Sequence, residues 1–192
     1  MKVFDSDNIR NIALAGHGDS GKTSLVSALL YSAGAVNRLG RVEDGNTITD
    51  CDENEIERQI TISTSLAHLE WQGTKINLID TPGYRTFILD TKASMVAAET
   101  MLLVVDAVSG VEVQTELVWS FAEEFQMPRA VVLNKLDRER ASFNRSLEAL
   151  QKALGRTVTP VQLPIGEEEN FCGVVDLISG KAYVYETGTS GK

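Results

Sequence analysis

Apolar and polar positions along this chain change period several times, and the changes mark its elements. Residues 9–15, which end in the apolar run 12–15, read as a strand. Residues 22–33 place Leu25, Val26, Leu29 and Leu30 on one stripe of a helix. Residues 34–60 are polar and rich in Gly, Asp, Glu and Asn, long for a connection in a compact domain and therefore a functional or mobile segment. Two strands follow, 62–70 and 75–80, with a hairpin turn at Gln72 and Gly73. A helix is predicted over 85–97, a strand buried on both faces over 101–105, a helix over 112–126, a second buried strand over 129–133, and a helix over 140–154 that Gly155 caps. Strands and helices in alternation, with apolar central strands, predict an α/β fold: an open, mostly parallel sheet with helices on both faces. After Pro160 the helices stop. Short strands at 161–165, 174–178 and 182–185 read as the start of a β-rich insertion. The domain organisation this implies is 1–158, incomplete at its C-terminal end, and 159–192, the opening of an inserted β-rich subdomain.

Gly16, His17, Gly18, Asp19, Ser20, Gly21, Lys22 and Thr23 have the form GxxxxGK[ST] between the first strand and the first helix. This is a phosphate-cradling P-loop. Its glycines let successive N–H groups turn inward, and the helix start adds free N–H groups and a positive dipole end. Lys22 supplies a cation for the outer phosphates and Thr23 a hydroxyl for Mg2+. Asp80, Thr81, Pro82 and Gly83 follow the apolar strand 76–79. Asp80 at that strand end suits a magnesium ligand acting through water, and the Gly83 N–H can approach the terminal phosphate. Asn134, Lys135 and Asp137 follow the strand ending at Leu133. The Asp137 carboxylate accepts from two adjacent donors, which guanine presents and adenine does not, and the Lys135 stem can lie along the base. Thr61, at the end of the polar connection, is a further hydroxyl for magnesium if that segment closes over the nucleotide.

Composition narrows the partners. The 192 residues are 43% hydrophobic and 23% charged, with a formal charge of −9 and a pI near 4.8. That argues against a broad basic face for naked nucleic acid, and no DNA partner is expected. Cys51 and Cys172 lack metal spacing and read as free thiols of a reducing compartment. No apolar stretch approaches the ~20 residues of a membrane span, and the N-terminus is too short in apolar residues for a signal peptide. The expectation is a cytoplasmic monomer with no membrane partner.

The motif series resembles the translational GTPase family, and within it the N-terminal G domain of elongation factor G. The resemblance is collinear from about Arg10 to Tyr185. It takes in Arg58, Gln59, Ile60, Thr61 and Ile62, the residues 106–111 with Gln114, and Gln162 to Gly166, where the family carries its insertion. It implies binding of GTP and GDP with Mg2+, hydrolysis of GTP, and ribosomal translocation by the full-length protein. It implies Lys22, Thr61, Gly83 and Tyr84 as the catalytic set, Ser24 near the α-phosphate, and a monovalent cation at Asp19. Three positions depart from the family. Tyr84 stands where a His usually positions the attacking water. Gly18 stands for a branched apolar residue, which leaves room for the longer ring. Gln59 stands for a Gly. Tyr84 orients water without carrying a positive charge, or packs elsewhere and leaves hydrolysis slow. The alternatives to a translocase are a ribosomal protection GTPase, whose family shares these motifs, and, from Tyr84 and Gly18, a ribosome-binding switch with little turnover. The family's further guanine-contacting motif has no candidate before Lys192, which predicts a fragment with weak nucleotide affinity.

Overall fold

Strand β1 (Ile9–Ala15) becomes fully buried toward its carboxyl end, with Ala13, Leu14 and Ala15 all inaccessible. The computed structural model describes residues 3–185; the readings made at the chain's first two residues and at 186–192 lie outside them. β1 pairs in parallel with β3 (Thr74–Asp80) on one side and β4 (Thr100–Asp106) on the other. β2 (Ser65–Trp71) is antiparallel to β3 through the predicted hairpin. Gln72 and Gly73 both have positive φ, 48° and 83°, the backbone that matches the twist of a two-residue hairpin. With β5 (Arg129–Asn134) the strand order is β2–β3–β1–β4–β5. The register sets Leu14 beside Asp80, so the carboxylate ending β3 lies level with the last residues of β1.

The chain divides into two units: residues up to 104 with 113–132, and residues 105–112 with 133 onward. In the first, α1 (Lys22–Ser32) buries Val26 and Leu30 against Leu14, Ala67, Leu69 and Leu78. That helix stripe is the one the sequence predicts. The polar stretch 34–60 contains an element that its lack of apolar period concealed, α2 (Glu53–Arg58). The helix is specified by its ends. The Asp52 carboxylate accepts from the Asn54 N–H at 2.8 Å, and Glu55 reaches back to the Asp52 N–H, a reciprocal capping box. The predicted helix 85–97 is shorter and begins differently. Residues 85–87 form a 3-10 turn closed by Phe87 N–H to the Tyr84 carbonyl, and α3 spans Ile88–Met95. α4 (Val113–Glu124) packs with α3.

In the second unit α5 (Phe143–Leu154) buries Ser146, Leu150 and Leu154, four residues apart, and Gly155 ends it at a φ of 111°. β6 (Gln162–Ile165), β7 (Gly173–Asp176) and β8 (Lys181–Val184) form an antiparallel three-stranded sheet. The strand predicted over 174–178 stops at Asp176, whose carboxylate accepts from the N–H groups of Ile178 and Ser179 and turns the chain. Among the described residues no helix is long and apolar enough to cross a membrane.

Candidate functional site

The loop leaving β1 needs its glycines for different reasons. Gly16 has a φ of 147° and lies so close to the Val104 carbonyl that a Cβ would collide with it. Gly21 takes a φ of 93° as the N-cap of α1, a conformation that favours glycine. Between them Asp19 adopts a left-handed φ of 59°, which Asp tolerates better than most residues. His17 and Ser20 are buried, and Ser24 is exposed on the first turn of α1. The buried Lys22 ammonium donates to the carbonyls of His17, at 2.8 Å, and Gly16, at 3.4 Å.

Three separate segments bring hydroxyls and carboxylates to the start of α1. Thr23 Oγ1 and Thr61 Oγ1 are 3.0 Å apart. Thr61 donates to Asp50 Oδ1 at 2.9 Å, and Thr49 donates to Asp80 Oδ2 at 2.8 Å. The second oxygens of both carboxylates, Asp50 Oδ2 and Asp80 Oδ1, are buried without a hydrogen-bond partner. Burial pushes the Asp80 pKa up to about 6, against the hydrogen bond from Thr49, the neighbouring Thr23 hydroxyl and the charge of Lys22. Burial also raises Asp50, against its Thr61 bond, and Glu55 adds to the rise. Oxygen donors of this kind, two hydroxyls and two carboxylates with unsatisfied lone pairs, fit a hard divalent cation such as Mg2+.

The Thr61 hydroxyl is held there by its neighbours. Glu55 is buried, and its Oε1 accepts from the N–H groups of Ile62 at 2.9 Å and Ser63 at 3.0 Å. Between helix and hydroxyl, Gln59 takes a left-handed φ of 55° as the C-cap of α2. Sequence reasoning missed Thr49, Asp50 and Glu55. The signal available was an Asp followed three residues later by a Glu, the capping-box pattern, inside a segment already singled out for its length.

On the other side of the loop, Thr81 is buried and donates to the Leu14 carbonyl at 2.7 Å, and Thr91 donates to the Pro82 carbonyl at 2.9 Å. These bonds fix the turn after β3. Gly83 approaches the loop so closely that a Cβ would strike Lys22 Nζ and stand 2.8 Å from the Gly18 nitrogen. Tyr84 comes next. Its hydroxyl donates to Asp19 Oδ2 at 3.0 Å, and its ring covers Gly18. Partial burial raises its pKa, and the adjoining Asp19 carboxylate raises it further.

The second unit holds Asn134, Lys135 and Asp137. Asn134 ends β5, and Lys135 takes a left-handed φ of 61°. The Lys135 ammonium pairs with Asp106 Oδ2 at 2.8 Å. Burial works against the Asp106 charge, yet Lys135 and the N–H groups of Val108 and Ser109 hold its pKa below the usual carboxylate range. The Ala107 N–H donates to the Asn134 carbonyl at 2.9 Å, and Ser146 of α5 donates to the Ala107 carbonyl at 3.1 Å. Asp137 is exposed.

The family pattern described as "Elongation factor Tu GTP binding domain" matches residues 7–187. The chain belongs to that family. The five-stranded, mostly parallel sheet is accordingly the P-loop GTPase fold, with a second β-sheet toward its C-terminal end. "Elongation factor G" of Granulibacter bethesdensis is 40% identical over 191 residues, covering 100% of this chain and 28% of that protein. "Ribosome-releasing factor 2, mitochondrial" of Culex quinquefasciatus is 40% identical over 185 residues, covering 96% and 25%. A crystal structure from Thermus thermophilus superposes with a TM-score of 0.89 at 41% identity, covering 94% of this chain and 27% of that one. The chain thus spans little more than a quarter of the length of these relatives.

Proposed function

We propose that this domain binds GTP with Mg2+ and hydrolyses it to GDP and phosphate, within a longer cytoplasmic ribosomal translocation factor of the elongation factor G type. In this reading residues 1–158 are the G domain and 159–192 open its inserted subdomain. The observation that carries it is the convergence of Thr23, Thr61, Asp50 and Asp80 beside Lys22.

The loop from Gly16 to Ser24 encloses the phosphates with its N–H groups. Lys22, now bonded to loop carbonyls, turns its ammonium to the outer phosphate oxygens. The Thr23 and Thr61 hydroxyls would hold Mg2+, with the Asp80 and Asp50 carboxylates beside them as further oxygen acceptors. When bound, Mg2+ neutralises charge on the β- and γ-phosphate oxygens. Thr81 and Pro82 fix the turn that aims the Gly83 N–H at the γ-phosphate, and Tyr84 orients the attacking water. Asn134, Lys135 and Asp137 read the guanine. Asp19 stands at the loop's exposed corner, where a monovalent cation is the family's expectation. Release of phosphate frees the segment carrying Thr61, and the rest of the protein converts that change into movement on the ribosome.

Single-turnover hydrolysis by the intact protein tests the reading. Unassisted turnover of this class runs on the order of 10⁻⁴ to 10⁻² per second, and activation adds roughly 10³- to 10⁵-fold. Stimulation of that size by ribosomes is the expected result; a flat rate with ribosomes bound refutes it. Identity to a protein named a ribosome-releasing factor supports ribosome release as the second reading. Movement of tRNA on programmed ribosomes, against splitting of post-termination ribosomes, separates the two.

A further inference from the structure

Gly18, Asp19 and Tyr84 are built as one unit. A Cβ on Gly18 would stand 2.9 Å from Tyr84 Cζ, and 3.1 and 3.2 Å from the two Cε atoms. The hydroxyl end of the ring therefore covers the place where a Cβ at position 18 would stand. Its hydroxyl ends 3.0 Å from Asp19 Oδ2. Tyr84 is 37% exposed, so packing alone does not enclose the ring or select its rotamer. A hydrogen bond from a phenol to a carboxylate is charge-assisted and stronger than a neutral one, which makes Asp19 the group that selects it. Asp19 is itself fixed by the left-handed turn of the loop.

We propose that Asp19 is the positioning residue for Tyr84, with Gly18 the opening that lets the two meet. The proposal rests on the reading that Tyr84 orients the attacking water. A phenol has one proton, and here that proton goes to Asp19. Tyr84 therefore meets the water through its oxygen lone pairs: it accepts a hydrogen bond from the water and gives none. No proton is transferred. The water is turned so that one of its lone pairs faces the γ-phosphorus. The end of the tyrosine ring thus occupies the space beside the loop that a side chain at position 18 would take.

The test is a double-mutant cycle on the intact protein with ribosomes. Asp19→Gly removes the acceptor without straining the left-handed backbone, and Asp19→Asn keeps an amide carbonyl that still accepts. Asp19→Gly and Tyr84→Phe are expected to lower kcat at saturating GTP by similar factors, roughly three- to tenfold, from the loss of one hydrogen bond. The double variant falls no further than either single one, and Asp19→Asn recovers part of the loss. Gly18→Ala has a compatible backbone and displaces only the end of the ring. It lowers kcat when Tyr84 is present and has a smaller effect in a Tyr84→Ala background. Factors that multiply, or a loss carried by KM alone, overturn the proposal while leaving GTP hydrolysis intact. If the unaltered protein shows no ribosome-stimulated hydrolysis, the functional reading itself fails, and 3-fluorotyrosine NMR then decides whether Asp19 and Gly18 position Tyr84. The Tyr84 signal, assigned by its loss in Tyr84→Phe, must move in both Asp19→Asn and Gly18→Ala; a stationary signal refutes the unit.

Discussion

Replacing Asp80 by Asn removes a buried ionisable group, and the structure gives the sign of the effect and its order of magnitude. The Asp80 side chain is wholly inaccessible, one of its oxygens lacks a partner, and burial lifts its pKa from 3.8 to about 6. Below pH 3.8 the carboxyl is protonated in folded and unfolded chains alike, and ionisation costs nothing. Between 3.8 and 6 the unfolded chain releases its proton first, so the folded state holds more protons and stability falls as pH rises. Above 6 both states are ionised and the cost is complete. A shift of that size corresponds to about 3 kcal/mol, of which about 2 kcal/mol accrues between pH 4.5 and 7. A carboxylate whose pKa is lowered by folding behaves in the opposite sense. The groups facing Asp80 are Thr49, Thr23, Lys22 and Asp50, and Asn retains an oxygen for the Thr49 hydroxyl. Urea unfolding of wild type and Asp80→Asn in EDTA, at several pH values from 4.5 to 7.5, measures the effect. The variant gains on wild type by about 2 kcal/mol across that range. Mg2+ with GDP stabilises the wild type more than the variant, because the bound cation acts on the folded ionised site that the variant lacks. A wild-type-to-variant difference that is constant with pH, or that shrinks as pH rises, refutes the reasoning.

Glu55→Ala strips a carboxylate from the N–H groups of Ile62 and Ser63; two charge-assisted bonds are lost, the local structure weakens by about 3 kcal/mol, and amide exchange at those residues accelerates accordingly. Gln59→Gly relieves a left-handed side-chain conformation at the end of α2 and slows the same exchange by stabilising the segment by about 1 kcal/mol; faster exchange in the variant contradicts it. Asp137→Asn exchanges an acceptor for a group that also donates, so nucleotide competition shows preference moving from GTP toward XTP, and unchanged preference rules out a guanine-reading role.

The sequence by itself determined the strands, the hairpin, the phosphate loop and the family. Each of these follows from local rules: apolar runs make β1 and β4, a residue–glycine pair of positive φ makes the β2–β3 turn, and the glycine spacing of the loop is dictated by backbone geometry. Tyr84 and Gly18 stood out as departures in the sequence, and their relation was readable as a matter of size. The Tyr84 bond to Asp19 was not, because residues 65 positions apart meet only through the parallel pairing of β1 with β3. The same holds for the carboxylate pair. Asp50 has no periodic or motif signal of its own, and its place beside Thr61 depends on α2, a helix of six residues made by its cap and by Glu55 rather than by an apolar stripe. Tertiary structure decided those features because their energies come from burial and from hydrogen bonds between distant segments, and neither has a local period to read.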